Sequence, residues 1–191
     1  MAKYKPLKSL GNRLSYGYHK VMTYKVGDKI RISDRMQKGY SYVLEAPMGR
    51  AFASGFAPFF TPRKMLELGV FEGKYLNDCR KEFPANWFEK AKTSKVADPS
   101  LNFFKIKSRQ SLQVWRENRW IIGPDPRGWF QWYCRYYLGR RIPDVDEKQI
   151  KRWRAFARHA AQIRANCVPL DFGCRPRQRQ ALLQWAYDPF T

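Results

Sequence analysis

The stretch from Asp125 to Arg141, DPRGWFQWYCRYYLGRR, constrains the fold more than any other part of the sequence. Six aromatic residues fall within the nine positions from Trp129 to Tyr137. At helical spacing most of them share one stripe, and other apolar residues occupy another side, so little of the helix is left for water. We predict a buried central helix with Asp125 as N-cap, Pro126 in the first turn and Gly139 just past its end.

This aromatic stripe has two interpretations. In the first, it belongs to the core, and the arginines of the segment extend their guanidinium groups to the surface. In the second, the rings and arginines form a platform on which bases stack and phosphates bind. An aromatic stripe at helical spacing is more often core, and the sequence leaves both interpretations open.

The charge of the chain indicates a polyanionic partner. The chain has 37 basic and 16 acidic residues among 191, a formal net charge of +21. Self-repulsion on this scale destabilises a compact fold, and phosphate neutralisation with counterion release would relieve it. An anionic membrane surface is the rival partner, but it requires a basic helix with an exposed apolar face. We therefore expect nucleic acid, and we expect no membrane span because no stretch of 18 apolar residues occurs.

The cysteines and the N-terminal segment predict an intracellular location. The chain begins MAKYKPLKSL, which has charge but no apolar core of a secretion signal. The four cysteines form no C-x-x-C pair, so reduced thiols in a cytoplasmic or nuclear compartment are expected. Cys167, Cys174 and His159 match no standard zinc spacing, and we predict no metal site.

The pattern along the chain predicts a mainly α fold with three segments. Residues 1–20 are a basic arm, residues 21–60 a small β-meander with an irregular connection, and residues 61–191 a helical domain. In the meander, VMTYKV and KIRIS are expected to pair around a Gly27-Asp28 turn, with Ser41 to Leu44 as a third strand. The helical domain is expected to begin with a helix that is capped by Thr61 and ends at Gly69.

The segment LELGVFEGKYLNDCR, residues 66–80, resembles the helix-turn-helix of DNA-binding regulators, in which a Leu-Gly-Val segment leads into the recognition helix. The resemblance covers about twenty residues and implies a second helix over residues 73–83. It would direct Lys74, Asn77, Arg80 and Lys81 toward a DNA groove. The alternative is an ordinary hairpin of two helices.

Two further helices are expected to present basic surfaces. Asp144 and Glu147 are spaced as a capping pair for a helix from Val145 to Asn166, whose basic side has few acidic partners at i+4. Three arginines precede the last helix, where a bound anion would offset their repulsion from the helix dipole. The predicted function is nucleic-acid binding, with DNA favoured over RNA. The predicted phosphate contacts in the chain are Lys74, Arg80, Lys81, Arg127, Arg135, Arg140, Arg141, Lys151, Arg152, Arg158, Arg175, Arg177 and Arg179.

Two other classes of function stay open. One is an enzyme that acts on nucleic acid or a nucleobase, with Asp125, Asp144, Asp146 or His159 as candidate catalytic residues. Asp144 and Asp146 could hold Mg²⁺ in that case, which is the one cofactor considered. Known catalytic motifs are absent from the sequence. The other is a structural component of a viral or ribonucleoprotein particle, in which protein partners also cover the chain.

Overall fold

A computed structural model describes residues 24–191. The fold is mainly helical, with a small antiparallel sheet near the N-terminal side of the described range. The predicted arm, residues 1–20, and the first three residues of the predicted first strand lie outside this range. Residues from the sheet, from the connection that follows it and from the helices share one hydrophobic core.

The described sheet has two strands, β1 (Lys29–Arg31) and β2 (Ser41–Val43). Ile30 lies opposite Tyr42, and both side chains are buried. The predicted Gly27-Asp28 hairpin is wrong for the part that can be seen. Residues 24–26 form no strand, because Lys25 and Asp28 close a turn in which the Lys25 N–H donates to the Asp28 carboxylate at 2.8 Å.

The helices of the described range differ in length from the predicted ones in several places. Their bounds are α1 (Pro62–Leu68), α2 (Leu112–Glu117), α3 (Trp129–Leu138), α4 (Pro143–Ala155), α5 (Ala157–Asn166) and α6 (Pro176–Gln184). The predicted limits of α1 are confirmed. Thr61 Oγ1 accepts the N–H of Lys64 at 3.2 Å, and the N–H of Gly69 donates to Met65 O. Gly69 has a φ of 106°, which glycine adopts without strain.

The single helix predicted over residues 145–166 is two helices, α4 and α5, which meet at Phe156. The expected Asp144–Glu147 capping pair does not form, and Ile142 is the N-cap residue. Asp146 instead accepts the N–H of Ile142 at 2.8 Å, from inside the first turn. A carboxylate there also complements the positive end of the helix dipole.

The helix-turn-helix resemblance fails in the structure. No helix covers residues 73–83, which instead contain an isolated 3₁₀ turn at Arg80–Glu82. Phe71, Glu72 and Leu76 have φ values of 53°, 58° and 58°, which a right-handed helix excludes. Asn77 fixes this path because its amide donates to Gly73 O and Ser94 O. The alternative hairpin of two helices is excluded for the same reason.

Helix α3 is the buried centre of the fold, as the aromatic stripe predicted. Nine of its ten residues are buried, and Trp132 is fully inaccessible. Phe56 packs edge-on against Tyr133 and Tyr136 of this helix, with ring centroids 6.0 and 5.5 Å apart, and against Trp153 of α4 at 4.9 Å. The core interpretation of the stripe therefore describes most of α3. Gly139 ends the helix as expected, but Gly128 and not Asp125 is the N-cap residue.

Asp125 is drawn away from the helix end by buried arginines. Arg140 donates to its Oδ2 at 2.6 Å, and Arg135 donates to its Oδ1 at 2.9 Å. Arg135 also donates to Glu82 Oε1 at 2.6 Å. These four side chains are at most 1% exposed, so each charge depends on the others for the stabilisation that water would otherwise provide.

Replacing Asp125 with Asn should strongly destabilise the protein. The substitution leaves Arg135 and Arg140 without the carboxylate that they share, and breaking such a buried set costs about 3–5 kcal/mol. Urea denaturation should show this loss in the free energy of unfolding. Asp144→Asn is the matched control, because Asp144 is exposed and its removal should change stability by less than about 0.5 kcal/mol. Equal effects of the two substitutions would contradict the ion-pair account.

Cys167 and Cys174 form a disulfide with a Cα–Cα distance of 5.8 Å, contrary to the expectation of reduced thiols. Cys79 and Cys134 are free and buried. The disulfide closes the loop that joins α5 to α6. Arg179 holds the same loop by donating to the carbonyl oxygens of Cys174 and Asp171, and its other bonds reach Pro189 O and Thr191 O.

Cys167→Ser should lower the free energy of unfolding by about 2 kcal/mol, because a short closed loop restricts the unfolded chain only modestly. The variant should otherwise keep the native circular dichroism spectrum. Urea denaturation with and without dithiothreitol measures the effect, since reduction should destabilise the wild type and leave the variant unchanged. A wild type that is insensitive to the reductant under full reduction would contradict the prediction.

Candidate functional site

The described part of the chain contains a cleft with a volume of about 730 Å³. Helices α3, α4 and α6 contribute to its walls, together with the 3₁₀ turn at Phe71–Gly73 and the segment 108–120. Its lining is rich in aromatic rings and contains five basic side chains, with no acidic side chain among the residues that line it. This combination makes it the candidate site.

One group of rings in the cleft centres on Trp185, which follows the end of α6. Trp129 is stacked on it at 4.7 Å with an interplanar angle of 28°, and Phe156 is stacked at 4.2 Å with an angle of 15°. Trp115 lies nearby, because Arg152 is 5.5 Å from the ring centroids of both Trp115 and Trp185. This Trp185 group therefore combines stacked rings with a cation held between two indoles.

A second group of rings consists of Phe71, Tyr75 and Phe130. Their centroids lie 4.5 to 5.2 Å apart in all three pairs. Phe71 is held in the left-handed backbone region, and its N–H donates to Gln184 Oε1 at 3.1 Å. The next N–H, that of Glu72, donates to Asn102 Oδ1 at 2.8 Å. Buried side-chain amides thus fix a backbone conformation that is costly for residues other than glycine.

The segment 108–122, which we call the strap, covers one side of the cleft and includes α2. Ser111 caps α2 by accepting the N–H of Val114 at 3.2 Å, but none of the six residues of α2 is buried. Trp115 and Trp120 meet edge-on at 5.6 Å, and Trp120 is 41% exposed. The strap is therefore a lightly packed element that carries two large rings.

A few polar contacts anchor the strap to the body of the protein. At the start of the strap, the Ser108 hydroxyl donates to Arg177 O at 2.7 Å, and the backbone carbonyl of Ser108 accepts from the Gln184 side chain at 2.9 Å. Arg109 forms an ion pair with Glu72 at 3.0 Å. At its other end, Arg152 donates to Trp120 O at 2.8 Å.

The cations of the cleft differ in how well they are neutralised. Arg127 pairs with Asp34 at 2.7 Å and with Asp78 at 2.9 Å, and Arg109 pairs with Glu72. Arg152 has only neutral partners among the described residues, namely Trp120 O, Gln149 Oε1 and the two indole rings. Burial lowers the pKa of Arg152 from its ordinary value. Lys74 and Arg158 are exposed at the edge of the cleft.

The structure brings four of the predicted phosphate-contacting residues together around the cleft: Lys74, Arg127, Arg152 and Arg158. Others are engaged inside the protein. Arg135, Arg140 and Arg179 are at most 1% exposed, so they are not part of the surface proposed below. Arg135 pairs with Glu82 across 53 positions, whereas the bonding partners of Arg140 and Arg179 lie 5 to 15 positions away from them.

The remaining predicted contacts lie outside the cleft. Arg141 donates to the carbonyl oxygens of Tyr136, Arg140, Arg50 and Ala51 and lies 3.9 Å from the Tyr136 ring centroid. Arg80 donates to Asn77 and lies 5.1 Å from the Phe88 ring centroid. The exposed residues are Lys81, Lys151, Arg175 and Arg177. Phosphate contact by these exposed residues stays a prediction.

The candidate catalytic residues do not converge. Asp125 lies in the buried ion-pair set, and Asp144 is exposed without a close partner in residues 24–191. Asp146 accepts from Trp132 Nε1 at 2.7 Å, and burial raises its pKa despite this bond. His159 lies against Phe156, and burial together with Arg158 lowers its pKa. Within the described range, no group of three His, Cys, Asp or Glu side chains could hold a metal ion.

Several residues of the cleft escaped the sequence analysis as site residues: Phe71, Arg109, Trp115, Trp120 and Trp185. A usable signal was present in SLQVWRENRW, residues 111–120, where two tryptophans stand in a mainly polar segment whose other apolar residues are Leu112 and Val114. Such rings are costly to leave outside the core unless they contact a partner. No comparable pattern in the sequence indicates which acidic residues pair with the arginines of the cleft.

Comparison of the chain with protein-family models, with curated proteins and with solved structures gave no match. Across residues 24–191, the helices are too short or too polar for any of them to cross a bilayer.

The pair of Asp34 and Arg127 should make stability depend on pH. Burial alone would raise the pKa of Asp34, but hydrogen bonds from Arg127, the Met36 N–H and Gln131 bring it down to about 2. A depressed pKa in the folded state stabilises the protein above the unfolded-state pKa, and this contribution is lost as the pH falls toward 2. The contribution is about 2 kcal/mol at neutral pH.

Asp34→Asn should therefore lower the free energy of unfolding most at pH 6, and the gap to the wild type should narrow as the pH falls from 5 to 2. Urea denaturation at several pH values measures the gap. Asp144→Asn serves as the control and should show no comparable narrowing. A gap for Asp34→Asn that is constant with pH would contradict the assignment.

Proposed function

We propose that the protein binds nucleic acid through the cleft, with phosphates at its cations and bases against its aromatic rings. The observation that carries the proposal is the composition of the lining. Four tryptophans and five basic side chains line one cleft, and no acidic side chain is among the residues that line it. Proteins that bind single strands without sequence preference combine the same two features.

The charge of the cations supports an anionic ligand. Lys74, Arg152 and Arg158 lack an acidic partner among the described residues, while Arg109 pairs with the buried Glu72 and Arg127 pairs with the buried Asp34 and the exposed Asp78. An incoming phosphate would thus meet positive charge that internal pairs do not cancel. The formal net charge of +21 adds a long-range attraction for any polyanion.

The aromatic rings support a ligand with planar groups as well as charge. Trp120 exposes 41% of its surface at the strap, and Trp115, Trp129 and Trp185 also contribute to the lining. Stacking of a base on an aromatic side chain contributes about 1–3 kcal/mol per base, whatever the base. We propose DNA as the preferred ligand, and RNA is the comparison that every binding experiment should include.

Binding should weaken steeply with salt. Fluorescence anisotropy with labelled DNA and RNA oligonucleotides, from 50 to 300 mM NaCl, should give a linear fall of log affinity with log salt concentration. Each phosphate contact contributes about 0.7 to 0.9 to the slope. An affinity that is independent of salt over this range would contradict phosphate-dominated binding.

Two arginine variants separate contact at the cleft from general charge. Arg158→Ala removes an exposed cation at the cleft edge and should reduce both the affinity and the salt slope, the slope by about one contact. Arg31→Ala is the matched control, because Arg31 is an exposed residue of β1 and does not line the cleft. Equal losses for the two variants would place the binding surface elsewhere.

A further inference from the structure

We infer that the cleft holds an unpaired part of the nucleic acid, either a short single strand or a base turned out of a duplex. This inference rests on the proposed function and specifies its ligand. It follows from the concave placement of the rings, the distribution of the cations and the light packing of the strap.

The shape of the site excludes bases that stay in a duplex. A volume of about 730 Å³ is within the range of pockets for compact organic ligands, which is about 300–1,000 Å³. Paired bases offer only their edges in the grooves, where an inserted helix or β-ribbon reads them. Here Trp129 and Trp185 are already stacked on other rings, and the strap tryptophans Trp115 and Trp120 line the concavity, so a base can contact the strap rings only after it leaves the helical stack.

Cations lie beside both aromatic groups. Arg109 pairs with Glu72, the neighbour of Phe71, and Tyr75 donates to Arg127 O. Arg152 lies 5.5 Å from the Trp185 ring centroid, and Lys74 and Arg158 also line the cleft. This arrangement suits a short single strand, in which charged phosphates alternate with planar bases.

The strap provides the way in. Its helix α2 buries none of its residues, and one of its anchors is the bond from Arg152 to Trp120 O. A phosphate can replace that carbonyl as the acceptor for Arg152, since a bond between two charged groups is stronger than one to a neutral oxygen. Displacement of the strap would open the cleft and free the Trp120 ring for contact with a base.

The experiment compares three DNA ligands of one sequence with the wild-type protein at 150 mM NaCl. The ligands are a 12-nucleotide single strand, its blunt duplex, and the duplex with one unpaired nucleotide in a central bulge. The single strand and the bulged duplex should bind at least tenfold more tightly than the blunt duplex and should quench tryptophan fluorescence more strongly. Inorganic polyphosphate serves as a ligand with charge and no bases.

The variant Trp120→Leu tests the contact with bases. It should weaken binding of the single strand by roughly 5- to 100-fold and leave the blunt duplex unchanged. Trp120→Phe keeps an aromatic face and should recover most of the affinity, which also guards against an effect of folding. Phe59→Leu is the matched control, because Phe59 is 63% exposed and lies outside the cleft.

The outcomes distinguish the two proposals. Equal, salt-sensitive binding of all three DNA ligands would leave nucleic-acid binding in place and overturn the inference. Polyphosphate binding as tight as that of the single strand would also overturn it, since bases would then contribute nothing. Absence of binding to every ligand, with RNA included, would instead contradict the proposed function itself.

Discussion

Asp125 accepts hydrogen bonds from two buried arginines, and the placement of the central helix depends on this arrangement. Arg135 lies within α3 and Arg140 follows its end. Because both bond to the Asp125 carboxylate, that carboxylate fixes the position of the C-terminal end of the helix. Glu82 extends the set to the 3₁₀ turn at Arg80–Glu82 and to Tyr42 of β2, whose hydroxyl donates to Glu82 at 3.0 Å. Apolar packing alone would hold α3 in the core, while these ion pairs determine which segments surround it.

The cleft is built on a second set of buried polar groups. Gln180 and Gln184 of α6 and Asn102 bond to backbone groups of the loops that carry the lining. Each side-chain amide both donates and accepts hydrogen bonds, so it can bond to two segments of irregular backbone at once. The left-handed conformations of Phe71 and Glu72 persist because these bonds outweigh their local cost. The backbone at the floor of the cleft is therefore held in a fixed conformation, whereas the strap at its side is only lightly packed.

The sequence predicted elements whose signals are local. The cap, first-turn proline and terminal glycine of α1 lie within nine residues, and the aromatic stripe of α3 lies within ten, so both helices were found. The helix predicted over residues 73–83 does not form. The hydrogen bond from the Asn77 amide to Ser94 O outweighs the weak helical preference of this segment. Local pattern also placed the end of α3 correctly but not its start, because Asp125 bonds to Arg135 and Arg140 and does not cap the helix.

The site was predicted in part, for the same physical reason. A count of arginines identifies cations but not their partners, and the partners here are distant in sequence. Arg135 pairs with Glu82 across 53 positions, and Arg127 pairs with Asp34 across 93. No local pattern distinguishes such an arginine from one that stays unpaired, such as Arg158. Four of the residues predicted to contact phosphate line the cleft, together with the strap tryptophans, and their contact with phosphate stays a prediction.

The burial of acidic residues has a consequence for encounters between copies of this protein. Asp34, Glu72, Glu82 and Asp125 are at most 2% exposed, so a chain with few carboxylates places several of them inside. The exterior is left with a still smaller share of anions, and two copies would find few opposite charges with which to adhere. Two copies of this protein should therefore repel each other at low ionic strength, and salt should weaken that repulsion.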